Sequence, residues 1–231
     1  MPKVFVHFGA GAADNDKSAF FRCGFTEFVK KNCSLDDKIF CVEANKHNIK
    51  YLRNTYKNFK NVKIYNLGLS TKNSNKIRFF YTDKDAPHFQ VTSIKKKHVI
   101  KHYPNQIIKS FFVKVITPNK FFKKINQNKI DYLSIDIEGI DFEILMSINL
   151  KNILVNNISI EYLHLSKFQR RKLINYLTNQ GYSYCGNGYD HNNFDYLFSR
   201  KKIYWNILIS KLFLWFISPK HYKYFNYFIL K

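Results

Sequence analysis

Two hydrophobic periodicities alternate along the chain. Lys3 to Phe8 is β-rich with period-two character and predicts a first strand. Gly9-Ala10-Gly11-Ala12-Ala13-Asp14 follows, then a helical pattern over 17–31 with Asp14, Asp16 or Ser18 as N-cap. Asp37 to Glu43 predicts a second strand that ends in an acid. Asn45 caps a helix to Tyr56, with Ile49, Leu52 and Tyr56 on one face. Asn61 to Leu67 predicts a third strand, and Lys76 to Tyr81 a fourth β run of antiparallel character. Segment 83–110 is polar and basic, holds Pro87 and Pro104, and reads as a long loop.

The pattern resumes with a strand from Phe111 to Ile116 and a helix from Pro118 to Ile125. The next apolar run, from Ile130, acquires Asp136 and Glu138 at its end, breaks at Gly139 and turns helical over Asp141 to Ser147. Ile153 to Tyr162 predicts a strand ending in Glu161. Ser166 to Asn179 predicts a helix stopped by Gly181, and Tyr182 to Cys185 with Asn193 to Phe198 a closing pair of strands. Such alternation predicts a doubly wound, mostly parallel sheet with helices on both faces, in one domain over 1–200. Residues 201–231 differ: Ile203 to Ile217 is apolar on most sides and predicts a C-terminal hydrophobic helix in an aromatic, basic tail. It is too interrupted to span a bilayer and suits an interfacial position or a packed face.

Composition changes this picture little. At 231 residues and 45% hydrophobic, the chain can bury one core. Its 38 Lys and Arg against 16 acids, a net +22, would attract anionic membrane, nucleic acid or a phosphorylated substrate. The lysines are diffuse, however, and the abundant Lys, Asn, Ile, Tyr and Phe read as compositional bias. No RNA-binding motif is present, so nucleic acid is not the expected partner. Cys23, Cys33, Cys41 and Cys185 show no CxxC spacing. They predict free thiols in a reducing compartment. Met1-Pro2-Lys3 leads directly into the first strand, with no signal-peptide pattern. The expected location is cytoplasmic, with peripheral membrane contact through 203–231.

The chemistry concentrates at strand ends. Gly9-x-Gly11 lets the backbone approach a ligand. Glu43, at the next strand's end, suits the ribose hydroxyls of an adenosine cofactor. Both NAD and S-adenosylmethionine fit that frame. Asp14 beside the turn would repel a pyrophosphate but attract a methionine ammonium and sulfonium, which favours S-adenosylmethionine. Asp136, Glu138, Glu161 and His164 are candidate bases for an acceptor hydroxyl, His164 having the intrinsic pKa best suited to neutrality. These four could also hold a hard cation, but no spacing demands one and no metal is assigned. Glu138 is divided between the site and capping the following helix. Asp141 and Glu143 are expected to serve that helix's dipole. Lys95, Lys96, Lys97, His98 and His102 are available to an anionic acceptor.

The stretches Val42-Glu43-Ala44-Asn45, 48–54, Asn66-Leu67-Gly68-Leu69-Ser70 and Val91-Thr92-Ser93, and above all Ile130 to Glu143 (IDYLSIDIEGIDFE), resemble the FkbM-type methyltransferases. The resemblance covers about residues 3 to 199. It implies a Rossmann-like seven-stranded sheet with an antiparallel last strand and S-adenosyl-L-methionine as cofactor. It also implies O-methylation, often of sugars in polysaccharides or of secondary-metabolite hydroxyls, so a small-molecule or glycan acceptor. Carried over position by position, Phe8, Gly9, Ala10, Gly11 and Asp14 would hold the methionine part and Glu43 with Ala44 the ribose. Gly68 and Leu69 would lie along the adenine, and Asp136 and Glu138 would face cofactor or acceptor. The chain departs from the family in carrying His7 where an acid precedes the glycine turn, with Asp14 or Asp16 as the nearest substitutes. Two other readings compete: an RNA methyltransferase, motivated by charge, and a catalytically degenerate module that docks through its tail, motivated by His7.

Overall fold

The computed structural model describes residues 2–13, 23–187 and 194–200. Seven strands form one sheet in the order β3-β2-β1-β7-β8-β10-β9. These are β1 (Val4–Phe8), β2 (Lys38–Glu43), β3 (Val62–Asn66), β7 (Lys129–Ile135), β8 (Leu154–Glu161), β9 (Ser183–Asn187) and β10 (Asp195–Ser199). All neighbours are parallel except β10, which runs antiparallel to both β8 and β9. The expected seven-stranded, mostly parallel, Rossmann-like sheet with an antiparallel last strand is therefore present. A second sheet of three strands, β4 (Gly68–Leu69), β6 (Lys109–Ile116) and β5 (Ser74–Tyr81), stands apart from it. The run over 76–81 is antiparallel to β6 as its pattern suggested, but it belongs to this smaller sheet.

The central strands have near-continuous apolar sequences because helices cover both faces. Val6, Phe8, Ile130, Leu133, Ile135, Val155, Ile158 and Ile160 are fully buried in the larger core. Each such side chain contributes about 1.5–3 kcal/mol on leaving water. Five helices follow the expected order: α1 (Gly24–Asn32), α2 (Lys46–Thr55), α4 (Pro118–Lys124), α5 (Asp141–Ser147) and α6 (Lys167–Asn179). Their starts follow local chemistry. Asn45 accepts from His47 N at the start of α2, Thr117 accepts from Lys120 N ahead of Pro118, and Ser166 with Gln169 forms a capping box on α6.

Two expectations change. The helix expected to run through 17–31 starts at Gly24 as α1, because Cys23 is extended at its N-cap; the expected caps Asp14, Asp16 and Ser18 lie outside the described residues. Segment 83–110 is not a structureless loop. It holds a 3-10 turn over Asp83–Asp85 and a seven-residue helix, α3 (Lys96–His102), and its end pairs as β6. The helix expected in the tail lies outside the described residues, as does the turn between β9 and β10. Among the described residues, no helix is long and apolar enough to cross a membrane.

Candidate active site

Strand order reverses between β1 and β7, so their carboxyl ends open a crevice where open α/β sheets bind ligands. The chain is drawn tight there. Asp136 N donates to Phe8 O at 2.9 Å, and Gly9 N and Ala10 N both donate to Val42 O. A Cβ on Gly9 would stand 1.6 Å from Asp136 O, and its φ is +79°. Glycine is required at this point by both space and backbone conformation.

The crevice widens into a cavity of about 340 Å³. Gly9, Ala10, Gly11, Glu43, Ala44, Gly68 and Leu69 line it, together with Asp136, Glu138, Glu161 and His164. The structure thus gathers the sequence-predicted residues from five strand ends into one chamber, with two exceptions. Phe8 does not line it. Its side chain is fully buried against Phe121 and Phe122, because odd and even positions of β1 face opposite sides and Phe8 falls on the core side. Asp14 lies outside the described residues.

Glu43 is buried, and both its oxygens accept backbone N–H bonds, from Gly11 at 2.8 Å and from Asn45 at 2.6 Å. Burial outweighs these bonds and pushes its carboxyl up to about 7. His7 lines the same region, stacked on Phe25 with ring centroids 4.5 Å apart. Burial lowers its imidazole to about 3, so it is neutral, and its buried Nδ1 has no hydrogen-bond partner among the described residues.

The acidic, histidine-bearing part of the lining is built from three segments. Asp141 organises the turn after β7. Its carboxylate accepts from Ile137 N at 2.7 Å and from Gly139 N at 3.0 Å. Asp141 is therefore the clasp of this turn rather than a simple dipole partner for α5. The clasp holds Glu138 at φ +57° and Gly139 at +101°. Ser93 Oγ donates to Glu138 O at 2.6 Å and Lys95 Nζ to Gly139 O at 2.5 Å. Glu138 is thereby released from capping α5, whose N-cap has no side-chain hydrogen bond. It turns instead toward histidines: His98 Nε2 lies 2.7 Å from Glu138 Oε2. His164 Nε2 lies 3.9 Å from the same oxygen and 3.1 Å from Glu161 Oε1.

His98 and His102, expected to meet an anionic acceptor as free basic groups, belong to this cluster. They sit four apart on α3, which brings both rings to one face. The three imidazoles form a triangle, with centroids 4.8 Å apart for His98 and His102, 4.5 Å for His98 and His164, and 4.8 Å for His102 and His164. Burial lowers His98 to about 3 and also lowers His102 and His164. Neighbouring imidazoles add to the shifts of His98 and His102, and the positive charge of Lys101 adds to that of His164. Burial likewise raises Glu138 well above the carboxylate range, with Asp136 and Glu161 adding to it, and lifts Glu161 to about 9. A neutral His164 beside a protonated Glu161 is thus the favoured state of that pair at pH 7.

A Methyltransferase FkbM domain model matches residues 7–184. No curated protein sequence matches the chain. Three solved structures are similar at low identity. Fibrillarin from Aeropyrum pernix in complex with natively bound S-adenosyl-L-methionine is 10% identical, with 85% of this chain and 65% of that one covered and a TM-score of 0.43. The fibrillarin pre-rRNA processing protein of Methanococcus jannaschii is 11% identical over 86% and 66%, with a TM-score of 0.45. The N-terminal domain of human METTL16 in complex with SAH is 10% identical over 87% and 63%, with a TM-score of 0.42. The chain thus spans about two thirds of each of these proteins. The family match takes in the glycine turn, the Glu43 strand end, the Asp136–Glu138 turn and the His164 segment, and on it the chain belongs to the FkbM methyltransferases, enzymes that use S-adenosyl-L-methionine.

Proposed function

We propose that the protein methylates a hydroxyl group of a sugar, polysaccharide or glycolipid-like acceptor. The observation that carries this reading is the cluster of neutral imidazoles and carboxyls that borders the cavity, with His102, His164, Glu138 and Glu161 in its lining. Methyl transfer to nitrogen or sulfur needs little help with a proton, whereas a hydroxyl must lose one as the bond forms.

The residues fit the cofactor. The cavity lies within the range of about 300–1,000 Å³ usual for small-molecule sites. Glu43 retains acceptor lone pairs for a ribose diol, and the Gly9–Gly11 turn suits the methionine part. Gly68 and Leu69 suit the adenine. The buried Nδ1 of His7, without a partner among the described residues, can accept from an ammonium. When bound, S-adenosylmethionine supplies an electrophilic methyl group. The chain's own work is positioning and proton removal. His164, neutral and backed by Glu161, is placed to take a proton from an acceptor oxygen, and Asp136 lines the same space. Lys95, Lys96 and Lys97 open α3 on its exposed side and suit an acceptor with anionic groups.

Release of S-adenosylhomocysteine tests the reading when measured with hydroxylated acceptors, from free sugars to acidic oligosaccharides, alongside RNA oligonucleotides. Turnover should appear with the glycans. His164→Ala should lower kcat by about 10²–10⁴ with the cofactor Kd unchanged. Turnover on RNA alone would refute it.

A further inference from the structure

We propose that His98, His102, His164 and Glu138 form a binding site for one divalent transition-metal ion of the zinc and cobalt class, on the acceptor wall of the cavity. The inference rests on the hydroxyl-methylation reading for its use, but not for the binding itself.

Composition is the first support. Each of the four residues offers one ligand atom, and these atoms all lie within 4.8 Å of one another. Zinc–nitrogen bonds of about 2.0–2.1 Å place tetrahedral ligands roughly 3.3 Å apart, so a small contraction of side chains completes the shell. Three imidazoles with one carboxylate suit a borderline ion and not magnesium or calcium, which take oxygen sets. The nearby group of Asp136, Asp141 and Glu161 is all oxygen. Asp141 there is already committed to the N–H groups of Ile137 and Gly139.

The second support is how the backbone is arranged to present these ligands. A Cβ on Gly139 would lie 2.8 Å from His98 Nδ1, so the absence of a side chain makes room for that ring. Glu138, a non-glycine residue at φ +57°, is held in an unfavoured conformation by the Asp141 clasp and the Ser93 bond. Strain maintained at this point aims its carboxylate into the cluster. The His98 side chain is 8% exposed and that of His164 11% exposed, so the donors are largely desolvated before any ligand arrives.

The third support is charge. Within 4 Å among the described residues, the ion-pair partners of Glu138 and Glu161 are histidines, not Lys or Arg. A dication placed here would bring a positive charge that the described surroundings of these two buried carboxyl groups do not offer. Glu161 at 3.1 Å from His164 also resembles the outer-shell carboxylates that orient ligating imidazoles.

A cation here lowers the pKa of an acceptor hydroxyl that joins its shell as a fifth ligand. The O–H proton then passes to a neighbouring carboxylate such as Asp136. The acceptor oxygen forms its bond to the methyl carbon as the carbon–sulfur bond breaks, leaving the neutral thioether. Under this scheme His164 serves as ligand, and the proton-accepting role moves to the carboxylate.

The test uses the full chain, stripped with a chelator and titrated with Co²⁺, then with Zn²⁺ in competition. Binding is read by visible absorption of Co²⁺ and by elemental analysis after dialysis. One equivalent of Co²⁺, displaced by Zn²⁺, is expected. His102→Ala, at the exposed edge of the cluster, should retain the wild-type circular dichroism spectrum. Both His102→Ala and His164→Ala should weaken Co²⁺ binding at least about tenfold. Wild-type binding far below one equivalent, or wild-type affinity in His102→Ala, overturns the metal site. Glycan turnover undiminished in the stripped protein that also fails to bind Co²⁺ overturns the site while leaving hydroxyl methylation standing. Stoichiometric Co²⁺ binding without turnover of any hydroxylated acceptor does the reverse.

Discussion

Glu43 offers the most direct check of the cofactor half of the cavity, because its proton should respond both to folding and to ligand. Its carboxyl lies at about 7 in the folded chain against an ordinary 4.5. The cause is burial, opposed by the N–H groups of Gly11 and Asn45 and the side chain of Asn48, all of them neutral. The folded state therefore holds this proton more tightly than the unfolded state. Between pH 4.5 and 7 the unfolded chain has already released it while the folded chain has not. Stability from this group is full below pH 4.5 and falls as pH rises through 7, by roughly 3 kcal/mol at 1.36 kcal/mol per unit.

Glu43→Gln removes the charging cost. It also leaves one of two backbone N–H groups facing an amide NH₂ instead of an oxygen, at about 1–3 kcal/mol. The gain from the first grows as pH rises, whereas the cost of the second is the same at every pH. The variant should be less stable than wild type at pH 5 and close to it at pH 8, as measured by denaturant unfolding. A ribose diol donating to Glu43 favours the carboxylate, so the cofactor product should release up to roughly half a proton at pH 7. Titration calorimetry in buffers of different ionisation enthalpy reads that number, which should vanish in Glu43→Gln. Equal destabilisation of the variant at both pH values, or no proton release from wild type, would refute the reasoning.

Two other substitutions probe the turn between β1 and β7. Asp141→Ala strands the N–H groups of Ile137 and Gly139, each bonded to a charged acceptor worth about 1.5–3 kcal/mol. A loss of about 3–5 kcal/mol in chemical denaturation is expected, together with loss of turnover as Glu138 leaves its strained conformation. Gly9→Ala places a methyl 1.6 Å from Asp136 O, backbone against backbone, at φ +79°. It should abolish soluble, cooperatively unfolding protein, as scored by expression and thermal melting.

The sheet was legible because its information is local. The period of each apolar run, Asn45, Thr117 and Ser166 as caps, and glycines at strand ends all act within a few residues of where they stand. Strand membership was less legible. The 76–81 run reads as β, but nothing in its sequence says which sheet it joins, since that depends on pairing with residues 109–116. The candidate site divides in the same way. Gly9, Glu43, Asp136 and Glu161 were visible because each ends a strand on the same sheet edge. His98 and His102 were legible only as basic groups for an anionic acceptor and not as partners of Glu138, because their segment is polar and contains prolines, and hydrophobic periodicity is the signal that reveals helices. The four-residue spacing in His98-Val99-Ile100-Lys101-His102 was the available clue. Read as a helix buried through Val99, it places both rings on one side.

The same contrast explains the turn that follows β7. Asp136, Glu138, Asp141 and Glu143 are four acids in eight residues, and by sequence their roles are nearly interchangeable. Their different environments come from tertiary contacts. Asp141 is clasped by two N–H groups and fully enclosed, while Glu143 reaches Lys95 at the surface. Glu138 is turned by a positive φ toward imidazoles from two distant segments. A carboxylate's chemistry is set by what satisfies its oxygens, and here the satisfying groups lie from 2 to 48 residues away. That is why this acidic turn identifies the family from sequence but the division of labour among its acids emerges only when α3 and the segment after β8 are brought against it.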